Sequence, residues 1–190
     1  MERNAQLLVR DGRVGLVVPS AFHANEGATG IRRYYLEKNA LVCCFSFENK
    51  RKIFEIHSSF KFATVVAQRH AEVETTPDDH AFDCGFYLHD DRWLDSDKQE
   101  PEPLSYSLGF VRRTGGDYLS LLELRTKADR DLALSCYQGG EPFGNFCLRL
   151  GVNLGREMNI TDDSHRFSSS AKILPSNDDP RTPEVAVRVQ

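Results

Sequence analysis

Apolar and polar positions divide this chain into short blocks. Ala5, Leu8 and Val9 sit at helical spacing within residues 3–10 and predict a helix end. Asp11-Gly12 stops it, with Gly12 suited to a left-handed cap. Val14 to Val18 is an unbroken apolar run closed by Pro19. A run without alternation predicts a strand covered on both faces, as in parallel sheets. Pro19 has no N–H to give and ends the ladder. Residues 23–30, HANEGATG, have the composition of a loop. IRRYYLEKN predicts a helix with Ile31, Tyr34 and Tyr35 on one face, Arg32 and Arg33 nearer the other, and Asn39 to close it. Leu41 to Phe47 is the next strand, and Ile53-Phe54 is a short apolar piece after the basic turn Lys50-Arg51-Lys52. Phe60 to Ala67 is the strand after that. Strand, helix, strand, turn and strand in this order predict part of an open α/β sheet, whose ligands sit just beyond the strand ends.

Residues 71–80 turn polar and acidic, which places a boundary near 71. Ala81 to Leu88 predicts a strand, 89–103 a mobile loop, Ser105 to Arg112 a strand and Thr114 to Asp117 a turn. Leu119 to Leu124 is too short to divide between strand and helix. Thr126 and Asp129 have capping-box spacing. The helix they open runs through Leu132, Ala133 and Cys136 to Gly139-Gly140. Phe146 to Leu150 reads as a strand, and 168–182, rich in Ser, Asp, Asn and Pro, as a tail.

Composition narrows the class. At 190 residues, 40% hydrophobic and 27% charged, the chain is that of a globular protein with one ordinary core. No apolar run nears the roughly 18–20 residues that span a membrane, and the N-terminus has no secretory h-region. The expected compartment is the cytoplasm. The net charge of −4 is an average that conceals basic clusters at Arg32-Arg33, Lys50-Arg51-Lys52 and Arg112-Arg113. A basic face on an acidic protein is compatible with DNA contact, although solvated surface charge explains the same clusters. The cysteines Cys43, Cys44, Cys84, Cys136 and Cys147 are odd in number and hold no CxxC pair, which argues against a disulfide framework or a zinc site.

Two stretches carry a resemblance. GRVGLVVPSAF, followed by GIRRYYLEKN and FSFENKRKIFEIHSSFKFATVVAQ, resembles the late part of an adenine-specific DNA methyltransferase. The nearest likeness is to the large type IIG restriction–modification and PglX-like phage-resistance methylases. GREMNITDDSHRF, residues 155–167, resembles the segment that links the methyltransferase domain of those proteins to their target-recognition domain. Thr161, Asp162, Asp163, Ser164 and His165 form the core of that motif.

The resemblance implies an α/β fold: the C-terminal half of a doubly wound class I methyltransferase sheet over 1–70, a small α+β extension over 71–167 leading to the target-recognition region, and a flexible tail over 168–190. It implies S-adenosylmethionine as the methyl donor of the complete enzyme, double-stranded DNA as its substrate, and adenine N6 as the target atom, reached by flipping the base out of the duplex. The family's Pro-Pro motif and glycine cofactor loop are absent, because the sequence holds neither a Pro-Pro pair nor a Gly-x-Gly. Alone, the chain is therefore expected neither to bind the cofactor well nor to methylate DNA. Its partners would be the N-terminal methyltransferase half and the target-recognition domain.

By position, Phe54 corresponds to the aromatic ring on which the flipped adenine stacks, with Pro19, Ser20 and Phe22 bordering that pocket; core packing is the competing reading of Phe54. Lys50, Arg51, Lys52, Arg32 and Arg33 would contact DNA phosphates. His57 reads as structural. Two alternatives have a basis in the residues. One is a non-catalytic DNA-binding or regulatory module with a methylase-like fold. The other is a metal-dependent hydrolase built on Asp78-Asp79-His80, His89-Asp90-Asp91 and Asp162-Asp163-Ser164-His165. The first two of these clusters lie in polar loops and the third belongs to the linker motif, so no metal site is expected.

Overall fold

A computed structural model of the chain describes residues 1–69, 75–152 and 164–166. Among them, β1 (Arg13–Pro19), β2 (Ala40–Glu48), β3 (Lys61–Gln68), β4 (Ala81–Leu88) and β5 (Leu104–Ser107) form one sheet in the order β1-β3-β2-β4-β5. β3 is antiparallel to both β1 and β2, β2 is parallel to β4, and β5 is antiparallel to β4. β1, β2 and β4 therefore run the same way and finish, at Pro19, Glu48 and Leu88, on one side of the sheet.

Side chains alternate across the strands, so the sheet has two packed faces. Ala63, Val65 and Ala67 of β3 join Leu41, Cys44, Cys84 and Tyr106 in the larger core. Phe62 points the other way and packs with Phe47, Leu88 and Trp93. The larger core is closed by helices α1 (Glu2–Gln6), α2 (Ala21–Ala24), α3 (Thr29–Arg33) with its π-helical continuation Tyr34–Lys38, and α4 (Leu108–Gly115). Phe22, Tyr35, Leu36, Leu108 and Val111 are their buried contributions. α5 (Lys127–Gly139) opens on the expected capping box: the Thr126 hydroxyl accepts from the Asp129 N–H and the Asp129 carboxylate accepts from the Thr126 N–H.

Several expectations are corrected. β1 is an edge strand in an antiparallel pair, not a covered parallel one, and Val17 is 58% exposed. An uninterrupted apolar run does not reveal how many of a strand's edges and faces are covered. α1 ends earlier than expected, at Gln6, and the left-handed residue is Asp11, φ 56°, rather than Gly12. HANEGATG is helical rather than loop: the Asn25 side chain accepts from the Gly27 N–H at 2.7 Å, and Thr29 donates to the Glu26 carbonyl. Arg32 lies in the interior, not on the outer face of its helix. Ser105 to Arg112 is half strand and half helix, because Ser107 caps α4 by accepting from the Phe110 N–H at 3.1 Å. The segment 89–103 is anchored by buried Trp93, whose indole N–H donates to the Pro101 carbonyl at 2.9 Å. Phe146 to Leu150 is not a strand: α6 (Phe143–Arg149) occupies it, since a short apolar run suits either state.

β4 and β5 extend the same sheet, so the division expected near residue 71 does not separate two sheets; the first compact unit runs Met1–Gly140. The second, Glu141–Gln190, contains α6, with Phe143 and Phe146 stacked at 6.2 Å and Arg149 bonded to Glu141 at 2.8 Å. The linker residues Thr161, Asp162 and Asp163 and the tail 168–190 lie outside the described residues; Ser164 and His165 are exposed in the short turn Ser164–Arg166.

The loop between β2 and β3 is tied by one side chain. Asn49 is fully buried; its amide donates to the Phe54 and Ile56 carbonyls at 3.0 and 3.1 Å and accepts from the Phe54 N–H at 3.0 Å. Asn49→Ala leaves these groups unpaired and is expected to cost about 2–3 kcal/mol in urea denaturation. A loss under about 0.5 kcal/mol, the scale of an ordinary surface change, would contradict this role.

Candidate functional site

The shared end of β1, β2 and β4 collects charge. His23, in α2 just after β1, is buried, and its Nε2 lies 2.7 Å from Oε1 of Glu123. Lys61, the first residue of β3, places Nζ 3.7 Å from Glu123 Oε2 and 3.7 Å from Oε1 of Glu48, the last residue of β2. Glu48 also pairs with Lys50, and His89 Nδ1 is 3.6 Å from its Oε2. Near the end of β4, Tyr87 takes a left-handed conformation, φ 60°, and its ring receives two cations: Lys61 at 5.1 Å and the Arg125 guanidinium at 4.4 Å from the centroid.

Glu123 reaches this cluster because the chain after α4 turns sharply. A Cβ on Gly115 would lie 2.3 Å from the Ser120 carbonyl oxygen, so only glycine allows the two backbones to approach. Leu119 to Leu124 then runs as neither strand nor helix. It is held by the Leu121 N–H donating to the His23 carbonyl at 2.8 Å and by the Tyr106 hydroxyl donating to the Leu122 carbonyl at 2.7 Å.

The electrostatics follow from burial and neighbours. Burial pulls the His23 pKa below its ordinary value, Lys61 and Arg32 push it the same way, and Glu123 opposes without prevailing. Burial alone would raise Glu123, but the hydrogen bond and charge of His23, the Lys61 ammonium and the Tyr87 hydroxyl together hold it low. Glu48 is held low chiefly by its hydrogen bond from Lys50, against a smaller opposing effect of burial. At neutral pH the pair is thus a neutral imidazole donating Nε2–H to a carboxylate, which leaves Nδ1 as the acceptor nitrogen. That Nδ1 is buried with no hydrogen-bond partner among the described residues. The cluster combines a bare imidazole nitrogen with a lysine shared by two carboxylates, at the strand ends where open α/β sheets bind ligands.

The residues expected to border the adenine pocket divide. Pro19 is exposed and is the ladder partner of Phe62; the Ser20 N–H donates to the Lys61 carbonyl at 3.2 Å. The Phe54 ring meets the same Phe62 edge-on at 4.8 Å and is 40% exposed. Pro19, Ser20 and Phe54 are therefore grouped around the start of β3. Phe22 is not with them: it is buried against Tyr35 at 6.0 Å. Lys50, Lys52 and Arg33 are exposed, and Arg51 pairs with Asp90 at the surface. Arg32, expected to contact a DNA phosphate, is instead buried and out of reach of one. Its guanidinium donates to the carbonyls of Phe22 at 2.8 Å, Asn25 at 3.1 Å and Tyr118 at 2.9 Å, and it has no exposed surface.

Residues of the first two acidic–histidine clusters have structural partners. Asp78 pairs with Arg112, His80 Nε2 is 2.7 Å from the Leu41 carbonyl, and Asp90 accepts from the Arg92 N–H. Among the described residues no group of three or more His, Cys, Asp or Glu side chains is placed to hold a metal ion. Sequence reasoning missed His23, Glu123, Lys61 and Tyr87 as a group. His23 and Glu123 are 100 residues apart, and only the fold joins them. No family model and no curated protein matches this chain.

The buried neutral imidazole has a pH signature. Unfolded His23 titrates near its ordinary 6.5 and the native one lower, so below pH 6.5 the unfolded chain binds more protons and stability falls as pH falls. Glu123, also lowered, acts in the same direction but only below about its ordinary 4.5. The thermal midpoint should therefore drop between pH 7 and about 5, and His23→Gln should flatten that drop. Equal slopes in both proteins would contradict the assignment.

Proposed function

We propose that this chain is part of a site-specific DNA adenine-N6 methyltransferase of a restriction–modification or phage-defence system, supplying the late strands of the catalytic sheet and a wall for the flipped adenine. The observation that carries the reading is Phe54. It is a 40% exposed aromatic ring beyond the end of β2, seated on Phe62 and grouped with Pro19 and Ser20. An aromatic face exposed beside parallel strand ends suits an extruded base, whatever its identity. The reading also requires β1, β2 and β3 to share one sheet, which they do. The outer edge of β1 has no ladder partner among the described residues, and the remaining strands of such an enzyme would add there.

Phosphate contact falls to Lys50, Arg51, Lys52 and Arg33. The ion pairs of Lys50 and Arg51 with Glu48 and Asp90 are surface pairs, weak enough to exchange for phosphate. The described residues do not fit S-adenosylmethionine. The cavity beside β5 is lined by Arg125, Lys127 and Arg130 against Glu102, an excess of positive charge that disfavours a sulfonium. In this reading cofactor binding and methyl transfer belong to the rest of the enzyme.

The test is binding of the full chain to short duplexes by fluorescence anisotropy. Affinity should fall steeply between about 50 and 200 mM salt. Phe54→Ala should weaken binding about tenfold to a duplex with a mismatched, easily extruded adenine, the loss of one stacking contact, and about twofold at most to a matched one. No duplex binding at about 50 mM salt would overturn the reading.

A further inference from the structure

Beside β5 lies a cavity of about 440 Å3. Its wall carries three cations, Arg125, Lys127 and Arg130, against one carboxylate, Glu102. Two of the cations are held in place. The Arg125 guanidinium lies over the Tyr87 ring at 4.4 Å, and Arg130 Nη1 donates to the Ser105 carbonyl at 2.8 Å. Of the nearby acids, Asp129 accepts from the Thr126 N–H in the capping box, whereas Asp131 pairs with Arg130 itself at 2.8 Å, so the uncompensated cations of the groove are Arg125 and Lys127. Lys127 is exposed and opens α5, a 13-residue helix whose first N–H groups add positive potential on the same side. This charge balance disfavours a cation. Arg130 already occupies the Ser105 carbonyl, which disfavours a peptide strand adding to the edge of β5.

We propose that this groove binds a phosphate group, and that the phosphate belongs to a nucleic-acid backbone; only the second part rests on the DNA reading above. Planar guanidiniums held on a ring and a carbonyl, with an exposed ammonium between them in sequence, suit phosphate oxygens.

Two measurements on the full chain test it, each with wild type, R125Q/K127Q and K127Q. In the first, inorganic phosphate replaces chloride at matched ionic strength and the thermal midpoint is followed. The wild-type midpoint should rise by at least about 2 °C more than that of R125Q/K127Q. In the second, binding to a duplex of about 20 base pairs is followed against salt. The slope of log K on log salt should become shallower by about two in R125Q/K127Q and by about one in K127Q. The exposed single variant guards against a folding defect in the double one. A phosphate response without any duplex binding upholds the phosphate site and removes the DNA reading. Duplex binding with an unchanged slope, together with equal phosphate responses in all three proteins, overturns the groove and leaves the DNA reading standing.

Discussion

A guanidinium with no exposed surface holds together the part of the molecule on which the polar cluster depends. Arg32 donates to the carbonyls of Phe22 and Asn25 on one side and of Tyr118 on the other. Those carbonyls belong to two segments far apart in sequence: the helical turn after β1 and the stretch after α4. No sheet ladder joins these segments, so their carbonyl groups need another donor, and an arginine fork supplies several at once. With the two segments joined, Leu121 reaches the His23 carbonyl and Glu123 reaches the His23 ring. The same buried charge also disfavours a second positive charge on His23.

The strand directions place this cluster. With β3 returned antiparallel between β1 and β2, and β4 parallel to β2, three strands end together. Glu48, His23 and Tyr87 come from those ends, while Lys61 arrives from the start of the reversed strand and bridges two carboxylates. Phe54 reaches the same region from the loop that Asn49 ties. The groove beside β5 shares one component with the cluster, since the Tyr87 ring that receives Lys61 also receives Arg125.

Much of the fold was legible in the sequence where the signal was local. β2, β3 and β4 were marked by apolar runs with polar boundaries, and α5 by Thr126 and Asp129 at capping-box spacing. What was not legible depended on contacts between distant residues. The position of β1 at the sheet edge follows from where β3 pairs, which an apolar run does not encode. Ser107 ending β5 and starting α4 was hidden inside a stretch with weak alternation. Arg32 beside Arg33 read as surface charge, yet the carbonyls it meets come from Phe22, Asn25 and Tyr118, none of which marks an arginine site in sequence. Of the residues expected to border an adenine pocket, Phe54, Pro19 and Ser20 share one neighbourhood, but Phe22 belongs to the core. Glu123 carried no local signal; Gly115 was the one sequence trace of the close backbone approach that places it.

The claim that Arg32 joins the two segments is tested most directly by amide hydrogen exchange on Arg32→Lys, which keeps the charge and loses the fork. The account predicts that Leu121 loses protection by a larger factor than Cys44 and Val65 in the β2–β3 ladder, because its bond to His23 depends on the join. Leu121 keeping its protection relative to Cys44 and Val65 would contradict it.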